Sequence, residues 1–104
     1  MGNYDEALDD INKAIELEPL YPKSFVERAD IHNFMGNHKK ALSDIKTAFQ
    51  WDLKPHYIRG KIYDAMNRRN EARKDYLAAL KLNPEARVSS KIRERLKVLQ
   101  SANQ

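Results

Sequence analysis

Three histidines (His32, His38 and His56), two adjacent acids (Asp9 and Asp10) and a recurring set of arginines and aspartates are the residues able to carry chemistry here. A helical metal site needs ligands three or four positions apart on one face. None of the histidines has a ligand partner three or four positions after it, and they fall in different helical contexts. Asp9 and Asp10, being adjacent, point from different helix faces and cannot share one substrate. There is no cysteine, so neither a thiolate nucleophile nor a disulfide framework exists. No Ser/His/Asp grouping and no Gly-rich phosphate loop is recoverable. The expectation is a non-enzyme without cofactor or metal.

Arg28 and Arg59 stand at positions that helices usually fill with apolar residues, and Asp10, Asp44 and Asp75 recur at one place in a second set of helices. A planar guanidinium meeting a carboxylate forms a bidentate pair. The recurrence predicts a stitch between neighbouring helices rather than a ligand site.

The elements that must hold these residues follow from an internal repeat. "MGNYDEAL" at the start returns as "MGNHKKAL" at Met35, and a 34-residue slide also superimposes Asp10 on Asp44, Ile11 on Ile45 and Ala14 on Ala48. A further slide of 31 carries Ala41, Asp44 and Ala48 onto Ala72, Asp75 and Ala79, and Arg28-Ala29 onto Arg59-Gly60. Each full copy reads as two helices. Phe25, Arg28, Ala29 and His32 mark one face of a helix over about 23–35, Gly36-Asn37 breaks it, and Ala41, Ile45, Ala48 and Phe49 mark a second over about 39–51. In the next copy Pro55 can open a helix carrying Tyr57, Gly60 and Tyr63. Asn67 holds the break, and Ala72, Tyr76, Ala79 and Leu80 continue to Asn83-Pro84. The small residues Ala29, Gly60 and the Ala pairs seven apart are predicted contact points between close helices, with Ile11, Ile45 and Tyr76 filling the adjacent grooves.

The skeleton of Ala29, His32, Gly36, Ala41 and Ala48, then Gly60, Tyr63, Asn67, Ala72, Ala79 and Pro84, resembles the tetratricopeptide repeat, a 34-residue helix-turn-helix unit. Gly2, Ala7, Ala14 and Pro19 supply a half copy, so the resemblance spans about residues 1–84. It implies an all-α α-solenoid winding as a right-handed superhelix. The divisions are a half repeat over 1–19, a repeat over 20–52, a shortened repeat over 53–84 and a capping helix over 85–101. Val88, Ile92, Leu96 and Leu99 give that last helix one narrow apolar stripe. His32 replaces the expected aromatic and Asn67 the turn glycine. Asp52-Leu53 stands where a proline would end the second repeat, which predicts a tightened link and a local change of twist.

The resemblance further implies a non-catalytic protein-interaction scaffold whose first helices line a concave, peptide-binding groove. The lining positions are Lys23, Val26, Asp30, Asn33 and Phe34, then Lys54, Tyr57, Lys61, Asp64 and Ala65. Lys54 and Lys61 flanking an exposed Tyr57 suit an acidic, partly apolar peptide; the alternative is a solvated lysine face with Tyr57 packed against the next helix. The carboxylate clamp of some family members is not matched. Its first-helix Lys and Asn have no counterpart and Glu27 stands at an Asn position; Lys54 matches the third-repeat clamp Lys but Ile58 stands at the Arg position, so chaperone C-terminal tails are not the expected partners.

Charge is divided unevenly. Residues 1–52 carry ten acids against six bases, and residues 53–104 thirteen bases against five acids. Nucleic acid is the rival partner for the basic half, but its bases are spread over several faces, and no aromatic ladder accompanies them. The half repeat leaves Ala7, Ile11, Ala14 and Ile15 on a face built to pack between two neighbours. It is expected either to belong to a longer array or to be completed by another chain, which makes self-association the alternative reading. No apolar run reaches the roughly 18 residues of a membrane span, and the start lacks a secretory pattern. A soluble, cytoplasmic protein is expected.

Overall fold

The computed structural model describes residues 3–51 and 55–102. Among them the ordered elements are six helices: α1 (Tyr4–Leu17), α2 (Pro22–Phe34), α3 (His38–Phe49), α4 (His56–Ala65), α5 (Arg69–Lys81) and α6 (Ala86–Ala102). Asp52-Leu53, and with it the expected change of twist, lies outside the described residues. No helix among the described residues is long and apolar enough to cross a membrane.

Local chemistry explains where the helices start and stop. Asn3 caps α1 by accepting the Glu6 N–H at 3.2 Å, and Asp5 and Glu6 place negative charge at the positive end of the helix dipole. Pro22 sits in the first turn of α2, where its missing N–H is no loss. The end of α2 is a paired closure in which Asn37 N–H reaches His32 C=O at 2.8 Å and Gly36 N–H reaches Asn33 C=O at 3.0 Å. Gly36 has φ +81°, and nothing would obstruct a Cβ there, so glycine serves backbone conformation alone.

The end of α4 repeats the motif with a different residue. Arg68 N–H reaches Tyr63 C=O at 2.9 Å, and Asn67 N–H reaches Asp64 C=O at 3.0 Å. Asn67 holds φ +60°, a left-handed conformation that asparagine tolerates and alanine resists by about 1 kcal/mol. Asn67→Ala is therefore expected to lose about 1 kcal/mol in urea unfolding, with Asn67→Gly equal to or slightly above the parent. At α5 only half of this closure forms. Asn83, at φ +54°, donates to Leu80 C=O at 3.2 Å, and Pro84, lacking an N–H, cannot supply the second bond.

The helices stack as antiparallel pairs, α2 on α3 and α4 on α5, with α4 also packed on α2 and α3. Helix α1 lies against α2, and α6 against α5. The result is an elongated body of 46 × 28 × 23 Å. One core cluster joins Ala29, Ala41, Ile45 and Ile62, so Ile62 of α4 reaches into the α2–α3 pair. The other joins Ala72, Tyr76 and Ala79 of α5 with Ile92 and Leu99 of α6, flanked by Val88 and Leu96. The small residues mark the close approaches: Ala29, Ala41, Ala48 and Ala72 are fully buried. At Gly60 space is the constraint. A Cβ would lie 2.8 Å from two ring carbons of Tyr76 and 3.3 Å from the Asp75 Cβ. Helix α1 buries no residue completely, and Ala7, Ile11, Ala14 and Ile15 are half-buried along it.

Candidate functional site: the face of α2, α4 and α6

The recurring arginines and aspartates form two copies of one device. Arg28 donates from Nε and Nη2 to Asp44 at 2.8 and 2.7 Å, and Arg59 does the same to Asp75 at 2.8 and 2.8 Å. Each arginine also rests over an aromatic ring, Phe25 for Arg28 and Phe49 for Arg59, at 5.4 and 4.4 Å from the centroid. Hydrogen bonding to the carboxylates, opposed by burial, raises both guanidinium pKa values. Arg28 Nη1 also donates to Asn12 of α1 at 2.9 Å, and His56 Nδ1 lies 3.0 Å from Asp75 Oδ1. Asp10, the third aspartate of the series, is exposed on α1. These pairs stitch each helix pair together and hold its outer surface in place.

His32 is a consequence of the same packing. It is 8% exposed, its Nδ1 is buried without a hydrogen-bond partner among the described residues, and it borders a cavity of about 400 Å³ with Asn12, Arg28, Lys40, Ser43 and Asp44. Burial lowers its pKa from the ordinary 6.5. The charge of Asp44 opposes that shift, and those of Arg28 and Lys40 add to it. The unfolded chain therefore binds the proton more readily than the folded one. Stability is full above the unfolded value and falls as pH drops through it toward the lower folded value. A difference plot of Tm for the parent and His32→Phe is expected to be flat above about pH 7 and to favour the variant increasingly below about pH 6.5.

The predicted groove residues gather on the face shared by α2, α4 and α6. Asn33, Tyr57, Lys61, Asp64 and Ala65 line a cavity of about 430 Å³, together with Tyr76, Lys91 and Arg95. A second cavity, of about 370 Å³, is lined by Lys23, Val26, Pro55, Tyr57, Ile58, Ala79, Leu82 and Pro84. Tyr57 belongs to both. Phe34 is 61% exposed and its ring stacks on Tyr4, with centroids 6.2 Å apart. Lys54 lies outside the described residues.

Of the two readings of Tyr57, the structure takes the packed one: it is half-buried, its ring at a tilt on Tyr76 of the next helix, 6.3 Å between centroids, beside the α5–α6 core. One feature differs from the sequence reading: Lys61 is not an unpaired cation. Its Nζ sits 3.1 Å from Asp30 Oδ1 and within 5.6 and 5.1 Å of the Phe34 and Tyr57 ring centroids. The sequence reading also missed Tyr76, Lys91 and Arg95. Arg95 grips Asp64 through Nε at 2.5 Å and Nη2 at 2.8 Å, and the Tyr76 hydroxyl donates to Asp64 Oδ2 at 3.0 Å. Burial first, then the charge of Asp64, raises the Tyr76 pKa, keeping that hydroxyl protonated as a donor. The available signal for Lys91 and Arg95 was their i,i+4 spacing, which puts both on one face of α6.

This geometry is a fixed surface bearing aromatic rings and paired charges, with two adjoining cavities. Comparison with known proteins agrees with it. Two tetratricopeptide repeat family models match the chain, one over residues 53–86 and the other over residues 1–19 and 22–55. Human tetratricopeptide repeat protein 6 is 31% identical over 85 residues, covering 80% of this chain and 16% of that protein's length. Helix pairs, repeat register and family models coincide: the chain belongs to the tetratricopeptide repeat family.

Proposed function

We propose that this chain is a non-catalytic interaction module that takes a peptide segment of acidic, partly apolar character across α2, α4 and α6. Tetratricopeptide repeats in general mediate protein–protein interaction and are generally non-catalytic, which supports the class. The observation that carries the finer reading is the pair of cavities meeting at Tyr57, one bordered by Lys61, Lys91 and Arg95 and the other largely apolar. Binding there needs little reorganisation, because stacked helices already hold the lining side chains in place.

The test is a nuclear magnetic resonance titration of the labelled protein with a random Glu–Tyr copolymer, at low and high salt. Shifts concentrated at Asn33, Tyr57, Lys61 and Ala65, weakening as salt screens the charges, support the reading. Shifts confined to other surfaces, or none, overturn it.

Self-association through α1 is the second reading, favoured by the absence of any fully buried residue on that helix and by the half-burial of Ile11 and Ala14. In light scattering across protein concentration, a dimer that becomes a helical monomer with Ile11→Asp supports it. A monomeric parent chain rejects it. Nucleic acid is the weaker candidate: Arg68 is paired with Glu71 at 2.8 Å, Arg73 donates to Asn70 at 2.9 Å, and Arg95 is held by Asp64.

A further inference from the structure

Resting on the peptide-binding reading, we infer that the site reads two side chains in a fixed relation: one carboxylate in the α4–α6 cavity and one apolar side chain on the other side of Tyr57. The charges around the first cavity divide into matched pairs and a remainder. Lys61 is neutralised by Asp30, and Arg95 by Asp64. Asp64 is 12% exposed and takes hydrogen bonds from Tyr76 and from two nitrogens of Arg95, so it presents little free acceptor to a ligand. Lys91 is exposed, lines the same cavity, and has no ion pair among the described residues. One surplus cation matches one negative charge. The Asp64 pair occupies Nε and Nη2 of Arg95 and does not use Nη1, which gives an incoming carboxylate an oriented donor beside Lys91.

The second cavity selects differently. Val26, Ile58, Ala79, Leu82 and Pro84 supply its apolar walls, Lys23 also borders it, and its volume of about 370 Å³ admits an aliphatic or aromatic side chain. Because Tyr57 lines both cavities, the two anchors lie on either side of one side chain, a short step along an extended peptide that rises about 3.3 Å per residue. The ligand is thus a peptide segment with Asp or Glu a few positions from a large apolar residue. A phosphorylated side chain in place of the carboxylate would bring more charge than the single surplus lysine balances.

The experiment selects a random linear phage-displayed peptide library on the parent chain, on Lys91→Glu and on Leu82→Asp. Both substituted positions are exposed, Leu82 at 51%, so the fold is retained and circular dichroism checks it. Parent-selected peptides are expected to share an acid at one recurring spacing of a few residues from an apolar residue. Lys91→Glu should abolish the acidic preference, keep the apolar one and weaken the best parent-selected peptide roughly tenfold. Leu82→Asp should do the reverse. Enriched peptides that the Glu–Tyr copolymer displaces but that lack this pairing, or whose acidic preference survives Lys91→Glu, overturn the two-anchor inference and leave groove binding standing. A preference for phosphoserine over glutamate in synthetic copies of the selected peptides overturns the carboxylate assignment. No enrichment over uncoated beads overturns both readings.

Discussion

Arg59→Ala is expected to lower the unfolding free energy by about 3 kcal/mol, with the urea m-value unchanged. The reason is what the substitution leaves behind. The Asp75 side chain is 5% exposed and takes both of its strong hydrogen bonds from Arg59. Without them a nearly buried carboxylate keeps only His56 beside it, and an unpaired buried charge costs more than the pair contributes when intact. The Arg59 side chain is 32% exposed, so the reverse truncation, Asp75→Ala, releases a guanidinium that water can partly solvate, and about half the loss is expected. Arg59→Lys restores the charge but not the fork, and should recover only part of the stability. Folded Arg59→Ala protein should still bind the Glu–Tyr copolymer as the parent does, because the pair lies away from Lys61, Lys91 and Arg95. An unchanged melting temperature would remove the stitching role.

The second large effect is expected at Ile62. It is fully buried and is the α4 member of a buried cluster whose other members come from α2 and α3, with Ile58 of the same helix and Met66 at its end packed against it. Ile62→Ala removes three carbons from that junction, at a cost of about 3 kcal/mol for lost transfer free energy and residual cavity. Its location makes the manner of failure informative. Stability in a stacked array is the sum of unit and interface contributions, and this side chain belongs to the interface. The cluster of Ala72, Tyr76, Ala79, Ile92 and Leu99 does not include it. Amide hydrogen exchange of the variant is expected to lose protection over α2 and α3 while α5 and α6 keep theirs, and urea unfolding should separate into two phases. A single transition with uniform loss of protection would show that the two clusters melt as one unit.

How much of this was legible in the sequence depended on periodicity. The Arg28–Asp44 and Arg59–Asp75 stitches could be foreseen because both partners recur at the same separation of 16 positions, and the buried alanines because they recur seven apart. Asn67 at a glycine position was visible as a departure, and its left-handed backbone shows why only a few residues can stand there. The face of α2, α4 and α6 was half legible. Helical spacing places Asn33, Tyr57, Lys61 and Asp64 on one side but does not say what each meets across the gap. Asp30 therefore went unrecognised as the partner of Lys61. For Tyr57 the spacing leaves both an exposed ring and one packed on the next helix possible, because the tilt that seats it on Tyr76 is a property of how α4 crosses α5. Helix α6 departs from the repeat, so no register indicated that Arg95 would cross to Asp64 or that Lys91 would stand beside it.

The two guanidinium–carboxylate stitches both lie within a helix pair, whereas the junction at Ile62 has no bidentate pair among the described residues and is held by apolar contact, by Arg59 and His56 against the Phe49 ring, and by Lys61 and Asp30 at its edge. Apolar contact resists separation but has little directional preference, while a bidentate pair resists shear and rotation as well. Mechanically the molecule is therefore two stiff plates joined by a compliant seam. A bending load will open or close the angle at that seam before it distorts either plate. Because the seam runs beneath the cavities that meet at Tyr57, tension along the chain would change the curvature of that surface, and with it the reach between the two anchors.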